Sequence, residues 1–256
     1  MSRTKKKEID FLEGPLTKSI LLFTLPVMVT GVLQFLYNAS DSAVVGWLIG
    51  RDALGAVSST GSLSNLITGL FIGLSVGASV AVSHALGSRR FDDAHDTVQT
   101  AITLSCILGL IVAAFGFFAC KPLLEIMGTV DECIEQSTRY MKIIFLGIPA
   151  QMVYNYGTSI LRANGDTKIP LIFLVISGAV NVVMNIILVF VFRDVWGVAA
   201  ATIISQYLSA FLTVRLLCRL DNCCRLDISR LYIKKEKLGK ILRIGLPAGV
   251  QSVLFS

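Results

Sequence analysis

Asp41 is a carboxylate inside an apolar stretch, LTKSILLFTLPVMVTGVLQFLYNASDSAVVGWLIG from Leu16 to Gly50, where Lys18 is the other formally charged residue. Facing lipid, such an acid costs on the order of 3 kcal/mol on insertion scales, so it is expected to face a bundle interior or a water-filled cavity. Gln34, Asn38 and Asp41 fall at i, i+4 and i+7 and share one helical face. The chemistry open to this acid is reversible capture of a proton or a sodium ion, with an occupancy that differs between two states of the protein. The plainer alternative is an interfacial acid near the outer end of a long first helix, paired with Arg51. Asn181 and Asn185, four apart in GAVNVVMNIILVF, either hydrogen-bond across to another helix or offer carbonyl oxygens to an ion. Thr202, in WGVAAATIISQ, either bonds back to its own helix or joins them as a ligand.

The elements that must position these groups are membrane helices. Hydrophobic residues make up 54% of the 256 and charged residues only 16%, well below the quarter or so of a soluble domain, which points to an all-α polytopic membrane protein. A span needs about 20 predominantly apolar residues. Six stretches qualify: 16–45, 54–86, 97–120, 139–161, 169–192 and 197–219. GRDA, GSRRFDDAHD, KPLLEIMGTVDECIEQSTR, RANGDTKIP and RDVWG are the expected connections, with a basic segment from Asp221 to Lys237 after the sixth. The opening MSRTKKKEIDFLEGPL has neither the apolar core nor the cleavage site of a signal peptide, so the first membrane helix is expected to do the targeting.

Lysine and arginine fix an expected orientation. Eighteen of them fall on the side of the N-terminal arm and of the second, fourth and sixth connections, against five on the other side. The bias alternates with every span and places the N-terminus in the cytoplasm of a multi-pass cell-membrane protein. It also accounts for the net charge of +6 without nucleic acid.

The tail repeats the head. At an offset of 221, Ile20, Leu21, Leu25, Pro26, Val29, Val32 and Leu33 recur as Ile241, Leu242, Leu246, Pro247, Val250, Val253 and Leu254. Residues 1–236 are thus expected to form one six-helix lobe and 237–256 to open a second, parallel one. Gly69, Gly73, Gly77, Ala81 and Ala85 form a small-residue ridge suited to close helix packing. Pro26 removes an intrahelical hydrogen bond and is the expected hinge. The six cysteines have no CxxC pair and the chain has two histidines, so neither a metal centre nor a disulfide is expected. No GxxxxGK[ST], GxSxG or HExxH motif occurs, which leaves no visible machinery for ATP use or covalent catalysis.

These segments resemble the multidrug and toxic compound extrusion (MATE) family, within the wider group that includes lipid-linked oligosaccharide transporters. The likeness rests on TLPVMVTG, DSAVVGWLIGRDALGAVS, ALGSRR, LRANGDTKIP and GLPAGVQ, and covers essentially the whole chain. It implies a twelve-helix antiporter of two six-helix lobes, exporting organic cations or amphipathic drugs against a proton or sodium gradient. It would need no cofactor, and its partners would be its substrates, the bilayer and the second lobe. Matched to the family's motifs, Asp41, Asn181 and Thr202 look like the coupling-ion pocket. The acid of the family's Asn-x-x-x-Asp pair is replaced here by Asn185, leaving one carboxylate. Gln34, Tyr37 and Asn155, with Asn38 on the same face as Asp41, look like substrate-cavity positions. The alternatives are an oligosaccharide flippase of the same group, and a non-transporting scaffold or half-transporter needing a partner.

Overall fold

The computed structural model describes residues 16–48, 51–129, 131–192 and 195–254. Seven α-helices follow one another: α1 Leu16–Leu48, α2 Arg51–Gly87, α3 Phe91–Ile126, α4 Asp131–Ala163, α5 Lys168–Phe192, α6 Val195–Cys218 and α7 Lys235–Leu254. Among the described residues there is no β-strand. The six expected spans correspond to α1–α6, and the expected restart corresponds to α7. Among the described residues, four stretches are individually long and apolar enough to cross a bilayer: Thr60–Gly87 within α2, α3, α5 and α6. α4 is more polar, because it runs through the middle of the bundle against α2, α3 and α6 rather than along lipid.

The connections are shorter than the sequence suggests. KPLLEIMGTVDECIEQSTR is mostly helical: α3 continues through Pro122 to Ile126, and α4 begins at Asp131. Pro122 does not stop α3, although proline in a helix interior usually does. Polar residues continue these helices beyond their apolar parts, with Lys121–Glu125 (4.0 Å) and Arg139–Glu135 (2.8 Å) paired one turn apart. GSRRFDDAHD likewise yields most of its length to α3, which begins at Phe91.

Three of the helix ends close in the same way. After α2, Arg90 N–H bonds to Ala85 O and Arg89 N–H to Leu86 O, both at 2.9 Å. After α3, Thr129 and Gly128 reach back to Leu124 and Glu125, and after α4, Asp166 and Gly165 reach back to Leu161 and Arg162. This crossed pair of bonds needs one left-handed residue. Gly128 (φ 75°) and Gly165 (φ 86°) take it without a Cβ penalty, whereas Arg89 (φ 56°) carries a cost of about 1 kcal/mol. In LRANGDTKIP the next residue starts the following helix. Asp166 Oδ1 accepts from the N–H groups of Lys168 (3.1 Å) and Ile169 (3.0 Å), so the motif is a stop and a start in adjacent residues.

The ridge on α2 packs against α7. A Cβ added at Gly73 would stand 2.2 Å from Gly249 Cα, and one at Gly77 2.2 Å from Ile241 O, so the two backbones touch. The segment between α6 and α7 is docked as well. Leu226 is buried, and Gln99 of α3 exchanges two hydrogen bonds with the Asp227 backbone once its amide is oriented to satisfy them. Asp96 receives the Tyr232 hydroxyl (2.5 Å) and the Lys234 ammonium (2.5 Å), while Asp93 pairs with buried Lys237 and, at 3.5 Å, with Arg90. Burial and the Asp96 carboxylate push the Tyr232 phenol up to about 12, so it stays a donor at neutral pH.

Replacing Gly73 with valine should force α2 and α7 apart and destabilise the fold by about 1–3 kcal/mol. Gly31→Ala, whose new methyl meets nothing within 4 Å, should leave stability unchanged or slightly raised. Thermal unfolding of the detergent-solubilised variants, followed by size-exclusion profile, distinguishes the two.

Candidate functional site

α1 packs mainly on α5 and touches α2 and α6 more lightly. This places the polar stripe of α1 against the inner faces of α5 and α6. Asp41 is 6% exposed, and each of its oxygens is taken by a different helix. Asn185 Nδ2 of α5 donates to Oδ1 at 2.6 Å, and Thr202 Oγ1 of α6 donates to Oδ2 at 3.1 Å. An interfacial acid facing water does not fit this burial; the Arg51 side chain lies outside the described residues. The second amide hydrogen of Asn185 goes to Asn181 Oδ1 (3.1 Å), and Asn181 Nδ2 in turn points at Thr202 Oγ1 (3.5 Å). Thr202 has one hydroxyl proton and two acceptors within reach, Asp41 Oδ2 and its own helix at Val198 O (3.0 Å), and serves one at a time.

Among the described residues, this carboxylate is held by neutral donors alone. Amide and hydroxyl bonds to a charged acceptor contribute about 1.5–3 kcal/mol each, which offsets part of the desolvation. Asn185 Oδ1 is buried with no hydrogen-bond partner in the structure. Asn185 Nδ2 stands between Asp41 Oδ1 and Asn181 Oδ1 and donates to both, so one amide links the acid to the second asparagine.

Asp41 and Thr202 also form part of the wall of a cavity of about 510 Å³ enclosed by α1, α2, α4, α5 and α6. Gln34, Tyr37 and Asn155 line it, as the sequence suggests, whereas Asn181 and Asn185 stand behind the wall as the support of Asp41. The Asn38 side chain lies outside the described residues. Tyr37 hydrogen-bonds to Ser205 Oγ, which donates to the Thr202 carbonyl (2.7 Å), so a cavity residue is two bonds from the acid's own partner. Asn155 Nδ2 and Gln206 Oε1 are buried without hydrogen-bond partners, and both residues line the cavity. Among its described lining residues there is no lysine, arginine or histidine, and Asp41 is the sole acid.

Sequence reasoning missed the contribution of α2 and part of that of α4. Thr60, Ser64 and Thr68 line the cavity from α2, and Gln151 of α4 donates to Thr68 Oγ1 at 3.1 Å. The signal was present as a polar row with a spacing of four, on the face of α2 away from its glycine ridge. Pro26 lies one turn before Thr30, whose hydroxyl bonds back to the Pro26 carbonyl at 2.8 Å, a pairing that itself favours a bend.

These features define a polytopic helical membrane protein with an interhelical cavity of mixed polar and apolar lining and one sheltered acid in its wall. The chain matches the MatE family over residues 26–187, more than half of its length, and belongs to that family, whose members are transporters rather than enzymes. The probable multidrug resistance protein YoeA of Bacillus subtilis (strain 168) is 30% identical over 247 residues, which is 93% of this chain and 53% of YoeA. The multidrug export protein MepA of Staphylococcus aureus (strain bovine RF122 / ET3-1) is 26% identical over 245 residues, 95% of this chain and 54% of MepA. A MATE crystallised in a bent conformation is 28% identical and superposes with a TM-score of 0.89 over 97% of this chain and 56% of that one. The chain therefore spans about half the length of the curated relatives it matches.

Truncating Asn185 to alanine should leave Asp41 Oδ1 without its donor and cost about 1–3 kcal/mol. Thr202→Val, which removes one bond and keeps the shape, should cost less. Unfolding midpoints of the purified variants test the order.

Proposed function

We propose that this chain is the first lobe of a cation-coupled multidrug exporter that works by alternating access, with Asp41 as the group that binds and releases the coupling ion. The observation that carries the reading is the placement of Asp41. It is buried, belongs at once to the cavity wall and to a three-helix junction, and is balanced by neutral donors rather than by a fixed cation. A proton or a sodium ion arriving there removes the charge that Asn185 and Thr202 now stabilise. The contacts among α1, α5 and α6 then change, and with them the shape of the cavity. Thr202, Asn181 and Asn185 supply the remaining oxygens.

Cavity composition favours organic cations or amphipathic drugs as cargo: one acid, several aromatic and amide side chains, and no basic group among its described lining residues. A lipid-linked oligosaccharide would bring a pyrophosphate, which calls for arginine or lysine, so the flippase reading lacks its anion-binding groups here. The names of YoeA and MepA agree with drug export. We place the N-terminus in the cytoplasm on the lysine and arginine distribution, residues 1–236 in one lobe, and 237–256 in the start of a second that completes the transport path. Pro26 serves as the flexible point of α1.

Energised cells expressing the complete transporter should extrude a cationic dye such as ethidium, and Asp41→Asn should lower the ion-driven rate at least tenfold while leaving dye binding measurable. Undiminished counter-transport of protons and sodium in that variant would remove Asp41 from the coupling role. Pro26→Ala should slow turnover without loss of binding, measured in the same assay.

A further inference from the structure

We infer that the segment joining α6 to α7 is a docking surface for anionic phospholipids of the leaflet in which it lies, an interaction separate from transport. The inference rests on where the segment sits and what it turns outward. Its hydrogen bonds to α3 are with Asp96, Gln99 and Thr100, the last through Thr100 Oγ1, which accepts from Lys234 N–H at 3.2 Å, and Lys237 at the start of α7 adds Asp93. All four lie within about 14 Å of the start of α3, at 1.5 Å per residue. This is the stretch where FDDAHD gives way to the apolar run of the helix. The segment thus lies beside the first turns of α3 and, through Asn222 on Asn164 (3.0 Å), against the turn between α4 and α5, at an end of the bundle where headgroups would meet it.

Its two faces differ. The inward face is fixed by buried Cys224 and Leu226, by the Gln99–Asp227 exchange and by Tyr232 and Lys234 on Asp96. Asp227 also caps the short turn Ile228–Arg230 by accepting from Ser229 N–H at 3.0 Å. Outward stand Ile228 (57% exposed), Leu231 (43%) and Ile233 (36%), large apolar side chains that a water-facing loop would bury. Between and beside them Arg225, Arg230 and Lys235 are exposed, with no ion pair among the described residues. Of the nearby acids, Asp227 is engaged with the turn and Asp93 and Asp96 with Lys237 and Lys234, while Asp221 and Glu236 are exposed at the two ends of the segment. Unpaired cations interleaved with apolar side chains on a rigid segment at interfacial depth match an anionic headgroup above and its acyl chains below. Zwitterionic lipid would satisfy the apolar residues and leave the arginines without counter-charge.

The test uses the whole chain in nanodiscs of phosphatidylcholine doped with a minor fraction of phosphatidylglycerol, brominated on the acyl chains of one lipid or the other at equal mole fraction. The reporter is Ile228→Trp in a background of Trp47→Phe and Trp196→Phe. Brominated phosphatidylglycerol should quench it several-fold more per lipid than brominated phosphatidylcholine. The preference should vanish in Arg225→Gln/Arg230→Gln and persist in Arg225→Lys/Arg230→Lys. A second reporter, Phe118→Trp on the lipid-facing side of α3 (Phe118 is 84% exposed), should be quenched equally by both lipids and shows that each variant is inserted and folded. Equal quenching at Ile228→Trp by the two lipids in a correctly inserted protein overturns the anionic preference. No quenching there while Phe118→Trp is quenched overturns the membrane docking itself.

Discussion

Three helices meet at one carboxylate, and the placement of α1 in the bundle depends on that junction. Between helices surrounded by lipid the hydrophobic effect offers little, because an acyl chain is as apolar as leucine. Association is left to close packing and to hydrogen bonds whose only alternative is an unsatisfied polar atom. α1 shows the consequence. It presents Leu21, Leu25 and Val32 outward and has a limited contact surface on its neighbours. The bonds from Asn185 and Thr202 to Asp41 attach it to both α5 and α6 at a fixed register. The same bonds make the register sensitive to the charge on Asp41, since both donors are oriented toward an anion.

α2 solves a different problem with the same means. One of its faces is reduced to glycine so that the α7 backbone can lie on it, and the other carries hydroxyls toward the cavity. Side chains are absent where two backbones must touch and polar where water or cargo must be met. α2 therefore meets α7 across bare backbone on one face while Leu63, Phe71 and Leu74 fill the bundle interior on others. α4, on the far side of the cavity, completes the arrangement through Gln151 on Thr68 and Ser159 on Ser75 (3.0 Å), which tie the two cavity walls to each other.

Much of this is written plainly in the sequence. Apolar length sets the six spans, because a bilayer imposes one scale on every crossing. The recurrence of Pro26 and its neighbours at Pro247 marks where α7 begins. Asp41 stands out because an acid among apolar residues has few tolerable surroundings, and Asn181, Asn185 and Thr202 because amides and hydroxyls on one face need partners. Other features were not legible, for physical reasons. Helix continuation through Pro122 depends on i,i+4 pairs and on local solvation that hydropathy does not register. The row Thr60, Ser64, Thr68 was overshadowed by the glycine ridge on the same helix, since a hydroxyl in a membrane helix can always satisfy itself on its own backbone. The docking of the segment after α6 rests on one amide, Gln99, and two acids of α3 more than a hundred residues upstream, a pairing that no local pattern encodes.

The crossed caps after α2 and α4 bear on how such a bundle can move. Three residues join α2 to α3, four join α4 to α5, and their backbone groups are bonded back into the helix they leave. A tether so short and so fully bonded has no spare contour. Neither member of a hairpin can slide, rotate or shift its register while the other stands still, unless the cap itself is broken. Rearrangement of this lobe is thereby confined to tilting of tied pairs, with α1 as the most loosely held strut between them.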